Sequence, residues 1–393
     1  MRPSRPRGVR GAERAYILSM DLPEFALERY FARHEFSSRH VLSASDCEPL
    51  AMAGLLQQAD AGLRRLWDQL RLGYAESQGL PELRREIGSL YLTAEPGDVL
   101  VLAPEEGIFV AMNCLLGAGH HVVCTFPAYQ SLFQLARALG CEVDLWEPQE
   151  TDAGWRFRIE SLEALLRPDT RLLVVNFPHN PTGCLPTAEE FASVVQLARE
   201  RDAYLFSDEM YRLLEPRSGL RLSPAVDLYE RAVTLAGMSK AFGLPGLRIG
   251  WLATRDRHLL ERCAAFKDYT TICSSGPGEL LALMALRGRK GILKEQNARL
   301  ARNTETLAAF MRLHERVFAA RPGEAGPVCF PRLLAPEGAE AFCRRVQEGA
   351  GIMILPSTVY GYGDRHVRLG LGREDLPAAL DALDEYLRTH GKG

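Results

Sequence analysis

This sequence has no long apolar run, no paired-cysteine pattern and no strong charge of either sign. No stretch approaches the ~20 apolar residues that a membrane-spanning helix needs. The nine cysteines form no CxxC pair and no cysteine and histidine cluster with zinc-site spacing. A formal net charge of -3 provides no basic surface for nucleic acid. We therefore expect a soluble, cytoplasmic protein with reduced thiols that binds a small molecule, and neither a membrane, a metal nor a nucleic acid.

Unusual composition is confined to the N-terminus. Arginines recur among proline and glycine residues in residues 1–19, and no apolar segment of the secretory type follows them. We interpret this segment as a disordered basic arm or an over-extended start. A functional basic arm is the alternative.

The middle of the chain has the pattern of an α/β fold. From about residue 97 to 255, short apolar runs alternate with amphipathic helical stretches. This alternation predicts a mainly parallel sheet covered by helices on both faces, with the ligand at the carboxyl ends of the strands. Seven strands are predicted, at residues 99–102, 122–125, 142–146, 172–176, 203–207, 233–236 and 249–253.

The length of the chain suits a large domain with a smaller companion. After about residue 286 the pattern changes to a long charged helix, 293–313, short strand-like pieces and a terminal helix, 375–389. The predicted segments are the arm at 1–19, an N-terminal segment at 20–45 that packs on the small domain, the large domain at 46–285 and a small α+β domain at 286–393.

A possible nucleophile lies in the string GMSKAFGLPGLRIGW, residues 237–251, directly after an apolar run. Burial at the end of a strand lowers the pKa of a lysine, so Lys240 could supply the neutral amine that attacks an aldehyde. Arg248, in the same string, could bind a phosphate through its planar guanidinium. By itself, a serine next to a lysine is as typical of a surface pair.

Two further strings end predicted strands. In SDEMY, residues 207–211, Asp208 is suited to pair with a protonated ring nitrogen, and the Tyr211 hydroxyl to reach the phenolic oxygen of that ring. In NFPHNPTG, residues 176–183, the Asn180 amide could donate to the same oxygen. Taken alone, Asp208 could instead cap a helix and Asn180 could belong to an ordinary turn.

Together, in this order, the three strings resemble the class I/II aminotransferase family of fold-type I pyridoxal phosphate enzymes, over about residues 40–385. The resemblance implies pyridoxal phosphate as cofactor, held covalently by Lys240, and a homodimer with shared active sites. It also implies roles for five further residues: ring stacking for Tyr129, phosphate binding for Ser239 and Arg248, binding of the neighbouring subunit's cofactor phosphate for Tyr74, and binding of the substrate α-carboxylate for Arg368.

The chain departs from the family pattern at the turn that binds the phosphate, LAPEEGIF, residues 102–109. Pro104 has no N–H to donate, and a carboxylate next to a phosphate is repulsive. We expect the backbone amides of Glu105 and Glu106 to bind the phosphate, while their carboxylates point elsewhere or contact the substrate.

Two other departures concern the phosphate and the substrate. Gly237 stands where relatives commonly supply a hydroxyl, so one phosphate hydrogen bond is missing or comes from water. The loop LSASDCEPL, residues 42–50, lacks the usual glycine-containing pattern. Asp46 and Glu48 in this loop either approach the substrate and favour a basic one, or belong to a polar loop before a helix.

The function predicted from this resemblance is amino transfer between an amino acid and a 2-oxo acid, with Lys240 as the general base at Cα and Asp208 keeping the cofactor ring protonated. The alternative is elimination, replacement or cyclisation, because relatives such as capreomycidine synthase use this fold for cyclisation. Some transcription regulators also carry such a domain, but residues before 20 are too few for a helix-turn-helix. The donor and the acceptor are not identified by the sequence.

Overall fold

The computed structural model describes residues 20–152, 154–319 and 323–390. The predicted arm, residues 1–19, lies outside them. The helices are α1 (Ala26–His34), α2 (Met52–Gln58), α3 (Ala61–Asp68), α4 (Pro81–Gly88), α5 (Pro104–Leu115), α6 (Ser131–Ala138), α7 (Ile159–Leu165), α8 (Ala188–Glu200), α9 (Ala225–Leu228), α10 (Arg257–Lys267), α11 (Gly276–Arg287), α12 (Arg289–Leu313), α13 (Ala339–Ala350) and α14 (Leu376–His390). The strands are β1 (His40–Val41), β2 (Val99–Leu102), β3 (His121–Thr125), β4 (Glu142–Trp146), β5 (Gln149–Thr151), β6 (Gly154–Arg156), β7 (Thr170–Asn176), β8 (Tyr204–Asp208), β9 (Ala232–Gly237), β10 (Gly250–Ala253), β11 (Phe318–Ala319), β12 (Val328–Cys329), β13 (Arg332–Leu333), β14 (Ile352–Met353), β15 (Leu355–Pro356) and β16 (Val367–Gly370).

A seven-stranded sheet lies within the predicted large domain, in the order β2-β10-β9-β8-β7-β3-β4. The five strands from β9 to β4 in this order are parallel, while β10 is antiparallel to both of its neighbours. The predicted α/β fold with a mainly parallel sheet is confirmed. All seven predicted strands are present, with ends that differ by no more than two residues.

The sheet is buried on both faces, as its nearly continuous apolar strands require. Along β2, Leu100 and Leu102 belong to one hydrophobic cluster, whereas Val99 and Val101 belong to another. Successive side chains of a strand point to opposite faces, so this alternation shows that the sheet has a core on each side.

The register of the sheet brings the three strings together. Asn176, the last residue of β7, pairs with Asp208, the last residue of β8. Asp208 in turn pairs with Leu235 of β9, whose strand ends at Gly237, three residues before Lys240. The chemistry-bearing residues therefore emerge at one edge of the sheet, where α/β folds bind ligands.

The N-terminal segment contacts both halves of the molecule. Within the predicted small domain, β14 pairs in parallel with β1, and the Ile354 carbonyl accepts from the Tyr30 hydroxyl over 2.9 Å. Within the predicted large domain, the Gln130 side chain accepts from the Ala26 amide over 3.0 Å. Helix α1 is thereby held across the carboxyl edge of the sheet.

Two other sequence-based expectations concern cysteines and helices. All nine cysteines are free and seven are buried, which confirms the prediction of unpaired thiols. Helix α12 begins at Arg289, four residues before the predicted start at 293. In the described part of the chain, no helix combines the length and apolarity required to cross a membrane.

We predict that Gly370→Ala lowers the free energy of unfolding by about 1–3 kcal/mol, the usual range for overpacking. The Gly370 amide donates to the Leu42 carbonyl over 2.7 Å, and a Cβ at this position would overlap the Ala44 carbonyl oxygen. Chemical denaturation measures the change. In the control Gly97→Ala the added methyl group meets nothing within 4 Å, so a change within about 0.5 kcal/mol is expected. Equal stability of Gly370→Ala and the control would contradict the prediction.

Candidate active site

A cavity of about 540 Å³ lies at the carboxyl edge of the sheet, under helix α1. It gathers most of the residues that the sequence singled out. The predicted site residues that line it are Glu105, Tyr129, Asn180, Asp208, Tyr211, Ser239, Lys240, Arg248 and Arg368.

Lys240 is half-buried at the wall of this cavity. Its Nζ donates to the Ser45 hydroxyl over 3.0 Å, and it forms no ion pair with any residue that the structure describes. Burial lowers the pKa of the amine, because it penalises the charged form, although the nearby Asp46 opposes this effect. The site therefore favours the neutral, nucleophilic amine that the sequence predicted.

Asp208 is 6% exposed at the end of β8. Burial raises the pKa of its carboxyl to about 6, and its Oδ1 accepts a hydrogen bond from the Met210 amide over 3.0 Å. This bond closes a turn, and the described residues directly after Asp208 form no helix, so the alternative role of a helix cap is wrong. The bond uses one carboxylate oxygen, and a cationic ring nitrogen on the other would stabilise the ionised form.

Asn176 ties the ends of two strands together, a role not predicted from the sequence. Its Nδ2 donates to the Asp208 carbonyl over 2.9 Å, and its Oδ1 accepts from the Asn180 amide over 2.7 Å. Asn176 is 3% exposed. The positions of Asp208 and Asn180 therefore depend on one buried amide.

Arg368 is 1% exposed, yet it has no carboxylate partner among the described residues. Its Nη1 donates to the Tyr360 hydroxyl over 2.6 Å and to Asn180 Oδ1 over 3.2 Å, and its Nη2 donates to the Ser43 carbonyl over 2.8 Å. Its buried Nε has no hydrogen-bond partner in the described part of the chain. A buried guanidinium in this state is suited to an anionic group that enters the cavity.

The hydrogen bonds to Asn180 also determine which of its side-chain atoms is left to bond to a ligand. Arg368 and Tyr360 both donate to its Oδ1, the latter over 3.3 Å. Its amide nitrogen is the remaining polar group, and it can only donate. This matches the predicted role of Asn180 as a donor to an oxygen of the ligand.

The Ser239 hydroxyl and the first turn of α5 also line the cavity. Ser239 is 5% exposed, and its Oγ has no partner among the described residues. Pro104, the first residue of α5, packs against Gly237 so closely that a Cβ there would lie 3.1 Å from the proline Cγ. The Gly250 Cα would lie equally close, so a side chain at position 237 would be crowded by both the proline ring and strand β10.

The two glutamates after Pro104 have different surroundings. Glu105 lines the cavity and accepts from the Ser131 hydroxyl over 2.5 Å, and burial raises the pKa of its carboxyl to about 7. Glu106 accepts from the Thr271 hydroxyl over 2.7 Å and does not line this cavity. The two carboxylates are expected from the sequence to point away from the phosphate or to contact the substrate. The Glu106 carboxylate points away from the cavity, whereas the Glu105 side chain lines it.

Three predicted positions lie outside the cavity or are neutralised. The interpretation that Glu48 approaches the substrate is wrong: it does not line the cavity, because its Oε2 accepts from the Glu374 amide over 2.8 Å. Asp46 does line it, but Arg373 pairs with its carboxylate over 3.1 Å. Tyr74 is 91% exposed and does not line its own subunit's cavity. Its predicted role in a neighbouring subunit stays a prediction.

Helix α1 contributes residues that the sequence did not mark as functional. The Tyr129 hydroxyl donates to Glu28 Oε1 over 2.8 Å, and the Tyr129 ring lies 5.0 Å from that of Phe25. Glu28 and Phe25 both line the cavity. No local motif identifies them, because their importance arises from how α1 crosses the sheet edge. The sequence does mark Asn176, because it is a polar residue at the end of an apolar strand.

The family model for "Aminotransferase class I and II" matches residues 42–383. The chain belongs to this family. Its cofactor is pyridoxal phosphate, as the resemblance implied.

Three relatives of this aminotransferase-family chain are similar over almost their whole length. Capreomycidine synthase from Streptomyces vinaceus is 30% identical over 98% of each chain. The solved structure of the PLP-dependent cyclase OrfR is 28% identical, with a TM-score of 0.85 over 99% of each chain. That of a PLP-dependent aminotransferase from Streptococcus suis is 27% identical, with a TM-score of 0.88 over 95% of this chain and all of the other.

The residues present fit pyridoxal phosphate. The unpartnered Ser239 Oγ and the N-terminal turn of the 12-residue helix α5 suit a phosphate. Asp208 is the buried carboxylate that a pyridinium nitrogen needs, and Lys240 is the amine that can bond to the aldehyde carbon. These three features lie in one cavity, which is large enough for a cofactor and a small substrate.

We predict that Asn176→Ala weakens cofactor binding by about tenfold while the protein still folds. The change removes two buried hydrogen bonds, each worth about 1 kcal/mol, one that supports Asp208 and one that supports Asn180. Titration with pyridoxal phosphate measures the affinity. Asn113→Ala is the control, since Asn113 also donates to a backbone carbonyl, that of Phe109, but lies outside the cavity. Unchanged affinity in Asn176→Ala would show that the amide does not support the site.

Proposed function

We propose that this protein removes the Cα proton of an α-amino acid that is bound through its carboxylate by Arg368. The observation that carries the proposal is the Lys240 amine, held by Ser45 in the same cavity as a buried guanidinium without an anionic partner. The lowered pKa of Lys240 suits it to accept a proton near neutral pH.

Bound pyridoxal phosphate supplies an electron sink for the charge left at Cα. We propose that the chain holds it at both ends. Ser239, Arg248 and the backbone amides of Glu105 and Glu106 bind the phosphate, and Tyr129 stacks on the ring. Asp208 pairs with the ring nitrogen, while Asn180 and Tyr211 donate to the phenolic oxygen.

We propose ring formation on the substrate as the net reaction. The support is that capreomycidine synthase and the cyclase OrfR match nearly the whole chain, which includes the helix α1 that lines the cavity. In this reaction a substituent leaves Cβ or Cγ, and a nucleophile within the same substrate replaces it. Amino transfer is the second candidate, and the similarity to the aminotransferase from Streptococcus suis supports it.

The charges around the cavity bear on the substrate. Carboxylates of Glu28 and Glu35 line it near α1, while Arg248 and Arg368 are the arginines that line it in the described part of the chain. Both arginines already have proposed partners, the cofactor phosphate and the α-carboxylate. We therefore propose a substrate with a neutral or cationic side chain, since a second carboxylate would have no guanidinium to bind it.

The proton-removal step is tested separately from the net reaction. We expect the holoenzyme in deuterium oxide to exchange the Cα hydrogen of its substrate amino acid, as observed by NMR across a panel of amino acids. Pyridoxamine phosphate formed without an oxo acid would indicate amino transfer. A cyclised product with pyridoxal phosphate retained would indicate ring formation. No exchange with any amino acid would contradict the shared step.

We predict that Lys240→Ala abolishes covalent attachment of the cofactor and lowers turnover by about 10²–10⁴-fold, the typical contribution of a general base. Borohydride reduction followed by peptide mass analysis shows where the cofactor is attached. Lys290→Ala, at an exposed position of α12, is the control and should retain both the label and turnover. A labelled peptide in the Lys240→Ala variant would overturn the assignment.

We also propose a homodimer in which Tyr74 completes the neighbouring site. Tyr74 lies near other exposed apolar side chains of its region, such as Leu72, which is 86% exposed. Two inactive variants, Lys240→Ala and Tyr74→Ala, should then complement each other when mixed under conditions of subunit exchange, because hybrids carry one intact site. We expect about a quarter of the wild-type activity from random mixing. Absence of any recovery despite subunit exchange would contradict shared sites.

A further inference from the structure

The phosphate end of the cavity lacks two of the usual hydrogen-bond donors. Pro104 has no N–H at the first position of α5, and Gly237 has no hydroxyl. The two positions are in close contact, because a Cβ at 237 would lie 3.1 Å from the proline Cγ. A phosphate at this place needs another donor.

Glu105 lies next to this gap, one residue after Pro104, and lines the cavity with Ser239 and Arg248. Its Oε1 accepts from the Ser131 hydroxyl over 2.5 Å. Its Oε2 is buried and has no hydrogen-bond partner among the described residues. Arg248 forms no ion pair with it within the part of the chain that the structure describes.

An ionised carboxylate fits this position poorly. Leaving one of its oxygens buried and unpaired is costly, and a nearby phosphate would repel its charge. A neutral carboxylic acid instead keeps one acceptor for Ser131 and gains an O–H donor. Only an acceptor on a bound group would then satisfy that donor.

We propose that Glu105 binds the cofactor phosphate as a neutral carboxylic acid, donating a hydrogen bond from Oε2 in place of the donors missing at Pro104 and Gly237. The proposal rests on the proposed placement of the phosphate at Ser239 and Arg248. It adds the Glu105 side chain to the backbone amide already proposed to bind the phosphate, and it couples cofactor affinity to pH.

The charged groups around Glu105 act mostly in the same direction. Together with burial they raise the pKa of this carboxyl to about 7, and burial is the largest cause. The Ser131 hydrogen bond and Arg248 lower it, whereas the carboxylates of Glu28 on α1 and Asp208 on β8 raise it. A bound phosphate adds negative charge, so Glu105 stays protonated in the complex at pH values where the free site ionises.

The sign of the pH dependence follows from this difference. Below pH 7 Glu105 is mainly neutral in the free site, and cofactor binding requires no proton. Above pH 7 it ionises, so binding takes up a proton, and affinity falls by up to about tenfold per pH unit. Lys240 and the phosphate also titrate, but they do so equally in a Glu105→Gln variant, so the ratio of the two affinities isolates Glu105.

The test is to titrate the full-length chain, freed of cofactor, with pyridoxal phosphate between pH 6 and 9. We expect Glu105→Gln, which keeps a donor without a charge, to bind more tightly than wild type by a factor that grows with pH. Glu105→Ala should bind about tenfold more weakly than Glu105→Gln throughout. In the holoenzyme, the ³¹P resonance of the phosphate should respond to the Glu105→Gln change.

Glu209→Gln is the matched control. Glu209 is also buried, and burial raises the pKa of its carboxyl to about 7, but it accepts from the Ala225 amide and does not line the cavity. This variant should keep the wild-type pH profile. An affinity ratio of wild type to Glu105→Gln that stays constant with pH would overturn the proposal. Equal affinities of Glu105→Ala and wild type at pH 6, where Glu105 is neutral, would also overturn it. If Arg248→Ala also left affinity and the ³¹P resonance unchanged, the phosphate placement itself would be wrong.

Discussion

The site depends on the parallel pairing of β7, β8 and β9, whose carboxyl ends lie at one edge of the sheet. Sheet hydrogen bonds hold Asn176 next to Asp208. The Asn176 side chain then donates to the Asp208 carbonyl and accepts from the Asn180 backbone amide. Three separate stretches of chain are thereby held in one rigid arrangement. Groups positioned by strands are more precisely placed than groups on loops, and catalysis needs that precision.

The second constraint is the burial of charged groups with few partners. Arg368, Asp208 and Glu105 all line the cavity. Each has a side-chain nitrogen or oxygen that is available to bond to a ligand. Such groups are costly in a folded protein, so their concentration in one cavity is typical of a functional site. The stability needed to retain them comes from the two hydrophobic layers that enclose the sheet.

The two candidate reactions share the removal of a proton at Cα and differ afterwards. The groups that handle the proton, the carboxylate and the cofactor ring are those common to this family, and they do not choose between ring formation and amino transfer. We propose that this choice depends on the wall near α1, where Glu28 accepts a hydrogen bond from the Tyr129 hydroxyl.

The sequence by itself determined the strands, the fold class and the residues that end the strands, because these features arise from local apolar patterns and short motifs. Lys240, Asp208 and Asn180 were found in this way, and the structure brings them into one cavity. Glu28 and Tyr360 could not be found, since they reach the cavity from elements distant in the sequence. Asp46 and Glu105 line the cavity, whereas Glu48 and Glu106 do not, and only tertiary contacts decide this difference. Neighbouring residues of like chemistry differ in the direction of their side chains, and only the folded backbone fixes that direction.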